Sequence, residues 1–231
     1  MAGREQLFLD AARELVREEG VLNVQMARIA EKCDYAVGTL YQHFTSKEDL
    51  LIALATCNIQ QRVEMFRRVA EWKAPTRDRM AGIAVADLVF VRRYPEHFRL
   101  AQFAFTDVVW HAASAQRRQV ALAAGKPLGA ICASIVNEAV ECGDVQLKGL
   151  NPSELTLGPW ALTLGVHTVV HLDGLLEQHE VREPYRLLLR HIHNLLNGLD
   201  WKPLFDPSDI AELERRMGQL CREVFNDQPC A

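Results

Sequence analysis

The sequence predicts an all-α protein. Three observations carry that expectation: period-two alternation is almost missing, apolar residues recur at helical spacing, and glycine, proline or a capping residue punctuates the stripes. Leu7, Phe8, Ala11, Ala12, Leu15 and Val16 stripe a first helix that Gly20 terminates. Met26, Ile29, Ala30 and Cys33 stripe a second, with Asn23 as its cap. Val37, Leu40, Tyr41 and Phe44 stripe a short third. Thr45 and Glu48 stand at capping-box spacing for a fourth, running through Leu50, Leu51 and Leu54 towards Trp72. Further helices are expected at about 77–94, 96–110 and 128–142, the last after a break at Gly125 and Pro127. Residues 155–176 are apolar nearly all round, and 185–199 keep a clean stripe. Asp206 and Pro207 are the expected cap and first position of a final helix, about 207–225.

The chain has 231 residues, 49% of them apolar and 24% charged, which is the profile of one large or two small globular domains. The start, "MAGREQLFLD", carries Arg4, Glu5 and Asp10 and lacks the apolar run of a signal peptide. The apolar stretch "LGPWALTLGVHTVVHLDGLL" is interrupted by Pro159, His167, His171 and Asp173, so burial in protein is expected and no membrane span. The cysteines, Cys33, Cys57, Cys132, Cys142, Cys221 and Cys230, form no CxxC pair and no zinc pattern, and a reducing cytoplasm fits them best. No nucleophile elbow, phosphate-binding loop, metalloprotease motif or dinucleotide glycine fingerprint is present, so neither an enzyme nor a cofactor is expected.

Charge does not announce a nucleic-acid binder. The net charge is −4, and residues 1–51 hold six basic side chains against nine acidic ones. That balance counts less if the acids lie on the first helix, turned from the DNA, because screening confines charges to about 10 Å.

Geometry argues the other way. Helices two and three are joined only by "CDYA". So tight a pair needs a small residue at the crossing, supplied by Ala30, and a residue tolerating a left-handed backbone at the turn, supplied by Asp34. This is helix-turn-helix spacing, in which the second helix enters a major groove. On a helical wheel Leu40 and Phe44 point inward, flanked by Val37 and Tyr41, while Gly38, Thr39, Gln42 and His43 point outward. Glycine inside a helix costs about 1 kcal/mol against alanine, so Gly38 suggests close approach of another surface. Gln42 suits a bidentate pair with adenine, Thr39 a thymine methyl or a phosphate, and Lys47 a phosphate.

The stretch "IAEKCDYAVGTLYQHFTSKEDLLIAL" resembles the N-terminal signature of the tetracycline-repressor (TetR) family of bacterial transcriptional regulators. The resemblance covers about residues 4–55, and the remainder agrees only in length and helical character. It implies phosphate contacts for Tyr41, His43 and Lys47 and base-facing positions for Val37, Gly38, Thr39 and Gln42, and Arg28 joins them in the candidate DNA-binding set. Two positions depart from the pattern. Ala36 stands where Ser or Thr usually caps the recognition helix, and Val37 where a polar or basic residue is frequent.

The organisation that follows is a DNA-binding domain at 1–50 and a ligand-binding and dimerisation domain at 51–231. The expected partners are a palindromic double-stranded DNA operator, a largely apolar small-molecule effector that releases it, and a second copy docked through 155–176 and 185–199. Candidate effector contacts are Phe90, Phe103, Asp107, Trp110, Trp160, His167 and His171. His167 and His171 have metal-ligand spacing on one helix, but no third ligand completes a motif, so no metal is assigned. The rival readings are a helical adaptor without DNA binding and, last, an enzyme.

Overall fold

The structure is a computed structural model that describes residues 2–226. Cys230 and both outer ends of the expected domains lie outside the described residues. Every regular element described is helical. In chain order the helices are α1 (Ala2–Glu19), a 3-10 turn (Val21–Asn23), α2 (Met26–Lys32), α3 (Val37–Tyr41), α4 (Lys47–Thr56), α5 (Ile59–Ala70) and α6 (Thr76–Arg93). There follow α7 (Pro95–Ala104), α8 (Asp107–Ala112), α9 (Ala115–Glu141), α10 (Pro152–Val170), α11 (Leu175–Gln178), α12 (Pro184–Gly198) and α13 (Ile210–Phe225).

The fourth helix does not run unbroken to Trp72. The Thr56 hydroxyl donates to the carbonyls of Ile52 (2.8 Å) and Ala53 (2.9 Å), and the Cys57 thiol also bonds Ala53. Such back-bonding competes with the amide ladder at the end of α4. The expected helix at 96–110 divides likewise at Phe105 and Thr106. Conversely, the break expected at Gly125 and Pro127 is absent, because α9 runs through Pro127. Proline there removes one ladder bond, and 27 residues of helix tolerate the loss.

Three caps also move. Asn23 does not cap α2. Its amide donates to the Glu19 carbonyl (2.7 Å) and closes α1. Ser46, not Thr45, caps α4, accepting the Asp49 amide proton at 3.1 Å. Asp209 caps α13, while Asp206 makes a local turn with Ser208 (2.9 Å to its amide). The capping box that does form, Asn151 with Glu154, starts α10 earlier than its apolar stripe indicates.

The chain divides into two compact units, Met1–Gln60 with Tyr94–Lys126, and Gln61–Arg93 with Pro127–Ala231. In the first, Phe8, Ala12, Leu15, Ile29, Leu40, Phe44, Leu50 and Leu54 form one buried core with Leu100, Ala104, Val109 and Ala121. Residues 94–126 therefore pack on the N-terminal helices, and this unit is larger than residues 1–50.

In the second unit α6 is buried on nearly every side and α10, α12 and α13 pack against it. At its start Arg77 is 0% exposed and donates to the carbonyls of Trp201 and His193 and to Asn197 Oδ1. Burial without a directly bonded carboxylate pulls Arg77 down to about 10. The Trp201 indole donates to Thr76 Oγ1 (3.0 Å), whose hydroxyl donates to Asp144 (2.6 Å).

Two buried histidines make this unit acid-sensitive. Burial pushes His167 and His193 each down to about 4, against 6.5 ordinarily. Over that interval the unfolded chain binds more protons, so the stabilisation is complete above pH 6.5 and is lost as pH falls towards 4. Urea midpoints should fall between pH 7 and about pH 5 by the equivalent of ~2 kcal/mol per histidine. His193→Gln should flatten the profile, and an unchanged profile would contradict this account of His193.

Candidate nucleic-acid interface

The sequence elements of the turn fold as their chemistry requires. Asp34 takes φ 58, the left-handed conformation expected of it, and the Tyr35 amide donates back to the Ala30 carbonyl at 2.9 Å. Ala30 is buried at the crossing. Helix α3 has only five residues, and its N-cap Ala36 supplies no side-chain bond. So short a helix cannot hold itself and depends on tertiary support.

Leu40 and Phe44 are fully buried beneath it, as the wheel predicts. The exposed face is Val37, Gly38, Tyr41 and Gln42, and a Cβ added at Gly38 meets nothing within 4 Å. Thr39 and His43 are half-buried. The His43 ring lies edge-on to Phe8 at 5.6 Å. A wheel drawn on α3 alone does not register that contact, because Phe8 belongs to α1.

The two candidate cations already have partners. Lys47 Nζ donates to the Leu22 carbonyl at 3.0 Å, and Arg28 pairs with Glu19. The first-helix acids are partly neutralised, since Lys32 lies 3.0 Å from Glu14 and 3.7 Å from Glu18.

Support comes from residues that the sequence reading missed. Arg117, at the start of α9, reaches Glu5 with two bonds of 3.2 Å and the His43 carbonyl at 3.4 Å, its guanidinium 5.1 Å above the Phe44 ring. Asp49, 3% exposed, accepts from the Thr45 amide (3.1 Å), the Thr45 hydroxyl (2.6 Å) and the Ser114 amide (2.7 Å). Burial alone raises the Asp49 carboxyl, but the bonds from Thr45 and Ser114 outweigh it and hold it below its usual value. Both ends of the loop carrying α3 into α4 are thus tied to residues 114–117. No local motif signals such distant pairings.

Residues 8–54 match the sequence model described as "Bacterial regulatory proteins, tetR family". That segment of the chain belongs to that family. It is 34% identical over 74 residues to the fatty acid metabolism regulator protein of Bacillus subtilis, a stretch covering 32% of this chain and 38% of that protein. It is 46% identical over 50 residues to the transcriptional repressor KstR of Rhodococcus jostii, covering 22% and 24% respectively. The chain thus spans little more than a third of the length of the first of these relatives and less of the other. Across most of the fold it is similar to the FadR regulator of Bacillus subtilis, solved in complex with stearoyl-CoA, with TM-score 0.61, 20% identity, and coverage of 84% of this chain and 98% of the other. That likeness shows the fold.

The candidate effector residues fall in both units. Phe103 and Trp110 pack against the core of the first, where Asp107 is exposed and 2.9 Å from His111. Phe90 and His167 are buried in the second unit, His171 is half-buried with Nδ1 2.8 Å from the His167 carbonyl, and Trp160 is exposed. None of the seven lines either of two cavities in the second unit, one of about 20 Å³ beside His193 and Trp72 and one of about 650 Å³ between α12 and α13.

His167 instead belongs to a polar group inside the second unit. Its Nδ1 lies 3.3 Å from the Tyr185 hydroxyl. Nearby, Arg62 grips Asp87 with two bonds of 2.6 and 2.7 Å, and the Asp87 charge acts on His167. The sequence held one signal for this group, because Asp87 is the lone charge in "MAGIAVADLVFV".

Proposed function

We propose that this TetR-family protein is a repressor that binds a two-fold symmetric DNA operator as a homodimer and is released by a small molecule. The observation that supports it best is the open face of α3, with Gly38 unobstructed and Gln42 exposed on a helix braced from behind. In this reading Gln42 and Thr39 read bases with Val37 and Gly38 close by, and Tyr41, His43, Lys47 and Arg28 anchor phosphates. Residues 1–50 read DNA, and 51–231 serve dimerisation and the effector.

One recognition helix touches too few base pairs for genomic specificity, so two copies are needed. The proposed interface joins α10 and α12 of each copy as a four-helix bundle. On α10, Leu157, Trp160 and Leu164 stand on one face and are 54%, 59% and 46% exposed in the single chain. Gly158, by contrast, packs within the chain, where an added Cβ meets Leu195 at 3.0 Å. Leu164→Glu should convert a dimer into a monomer in sedimentation at micromolar concentration. A wild-type monomer would contradict the interface.

For the effector, we infer a largely apolar body with one or two polar contacts, drawn from Phe90, Phe103, Asp107, Trp110, Trp160, His167 and His171. Support for such a ligand comes from the FadR neighbour solved with stearoyl-CoA. The reading places the protein in the cytoplasm with its DNA. Selection of bound sequences from a random duplex pool tests it, and the expected product is an inverted repeat carrying two protomers. No enrichment, or a single protomer per duplex, would overturn it.

A further inference from the structure

The first turn of α1 carries an arginine to which its own helix offers no carboxylate. The residues three and four places beyond Arg4 are Leu7 and Phe8, and adjacent residues of a helix do not face each other. Glu5 is spent on Arg117 through two bonds of 3.2 Å, and Asp10 on Arg13 at 2.7 Å. Arg28 pairs with Glu19, and Lys32 with Glu14 and Glu18. Arg4 is exposed and makes no hydrogen bond or ion pair among the described residues.

An aromatic face holds it instead. The Arg4 guanidinium lies 5.5 Å over the Tyr35 ring. Tyr35 meets the Phe8 ring edge-on at 5.4 Å, and Phe8 is fully buried, so the stack rests on the core of the first unit. Arg4 and Phe8, four residues apart, share one face of α1. A guanidinium stacked by its plane keeps its fork of donors free at the edge. That fork matches two oxygens of one phosphate.

The stack stands beside α3. Tyr35 is 37% exposed and lies two residues before Val37, where α3 begins. Lys47 follows α3, and its Nζ is 3.0 Å from the carbonyl of Leu22, just past the far end of α1. From Arg4 to Glu19 that helix is about 22 Å long, at 1.5 Å per residue. A major groove is about 12 Å wide. The two cations are therefore far enough apart to meet opposite walls of one groove.

We propose that Arg4, held in place by Tyr35, grips a backbone phosphate on the wall of the major groove opposite the phosphate that Lys47 meets. Arg4 is the contact and Tyr35 its positioning residue. The proposal rests on the reading of α3 as the helix that enters DNA.

The experiment measures affinity against salt for the full chain on the duplex it selects, with single phosphates replaced in turn by uncharged methylphosphonate. R4A should weaken every duplex on the order of ten-fold, lower the salt slope by about 1 per half-site and keep the base preference. One phosphate whose neutralisation costs wild type affinity should become silent in R4A, and a different one, across the groove, in K47A. Tyr35→Leu should weaken binding when Arg4 is present and add no loss to R4A. The comparison of phosphates is internal to each variant, so it holds whatever the melting temperature. A wild-type salt slope in R4A, no phosphate falling silent, or a silent one on the wall that Lys47 meets would overturn this proposal and leave the DNA reading standing. Equal losses from Tyr35→Leu in both backgrounds would overturn the role of Tyr35. A wild-type chain that selects no duplex would overturn the proposal and the DNA reading together.

Discussion

Arg77→Ala is expected to cost about 3–5 kcal/mol of stability, the largest effect of any single substitution considered. The side chain is fully buried and joins α6 to three acceptors, the carbonyls of Trp201 and His193 and the side chain of Asn197. Truncation leaves those acceptors buried without that donor and opens a cavity against Trp201, itself 0% exposed. Arg77→Lys should recover only part of the loss, because one ammonium cannot reproduce the guanidinium fork. Urea unfolding measures both. A midpoint for Arg77→Ala indistinguishable from wild type would contradict the role given to this arginine.

Arg117→Ala should weaken operator binding by roughly ten-fold or more, with a smaller effect on melting. A charge-assisted hydrogen bond is worth about 1.5–3 kcal/mol, and here it steadies a five-residue helix that lacks a side-chain cap. Arg117 stands behind α3 with its guanidinium over Phe44, so the loss acts through position rather than through a lost phosphate contact. The salt dependence of binding should therefore keep its slope while affinity drops. Asp49 adds an acid limit to the same support. Its folded value lies below the unfolded one, so its contribution is complete above the ordinary carboxylate value and is lost as pH falls through the depressed one. Asp49→Asn should abolish that part of the acid transition. A flatter salt slope for Arg117→Ala would move this residue onto the DNA instead.

Legibility in the sequence followed the range of the interactions. The turn at Asp34, the inward Leu40 and Phe44 and the missing cap at Ala36 were readable because each depends on neighbours a few residues away. The partial burial of the His43 ring was not, because it comes from Phe8 on α1 rather than from neighbours a few residues away. The break between α4 and α5 falls at Cys57 and Asn58, and apolar spacing carries no signal for it. Phe103 and Trp110 look like pocket aromatics in sequence, yet they pack on the N-terminal core, since composition cannot tell which core an aromatic joins. Arg117 and Glu5 are 112 positions apart, beyond any spacing rule.

The central claim is that α3 reads bases while the residues around it hold phosphates. The measurement that tests it most directly is operator affinity against salt concentration for wild type, Gln42→Ala and Lys47→Ala, on the selected operator and on single-base variants of it. The account predicts that Gln42→Ala keeps the salt slope and loses discrimination at one base pair per half-site, worth about 1–3 kcal/mol. It predicts that Lys47→Ala weakens all sequences alike and lowers the salt slope by about 1 per half-site. Full affinity and selectivity in both variants would contradict it.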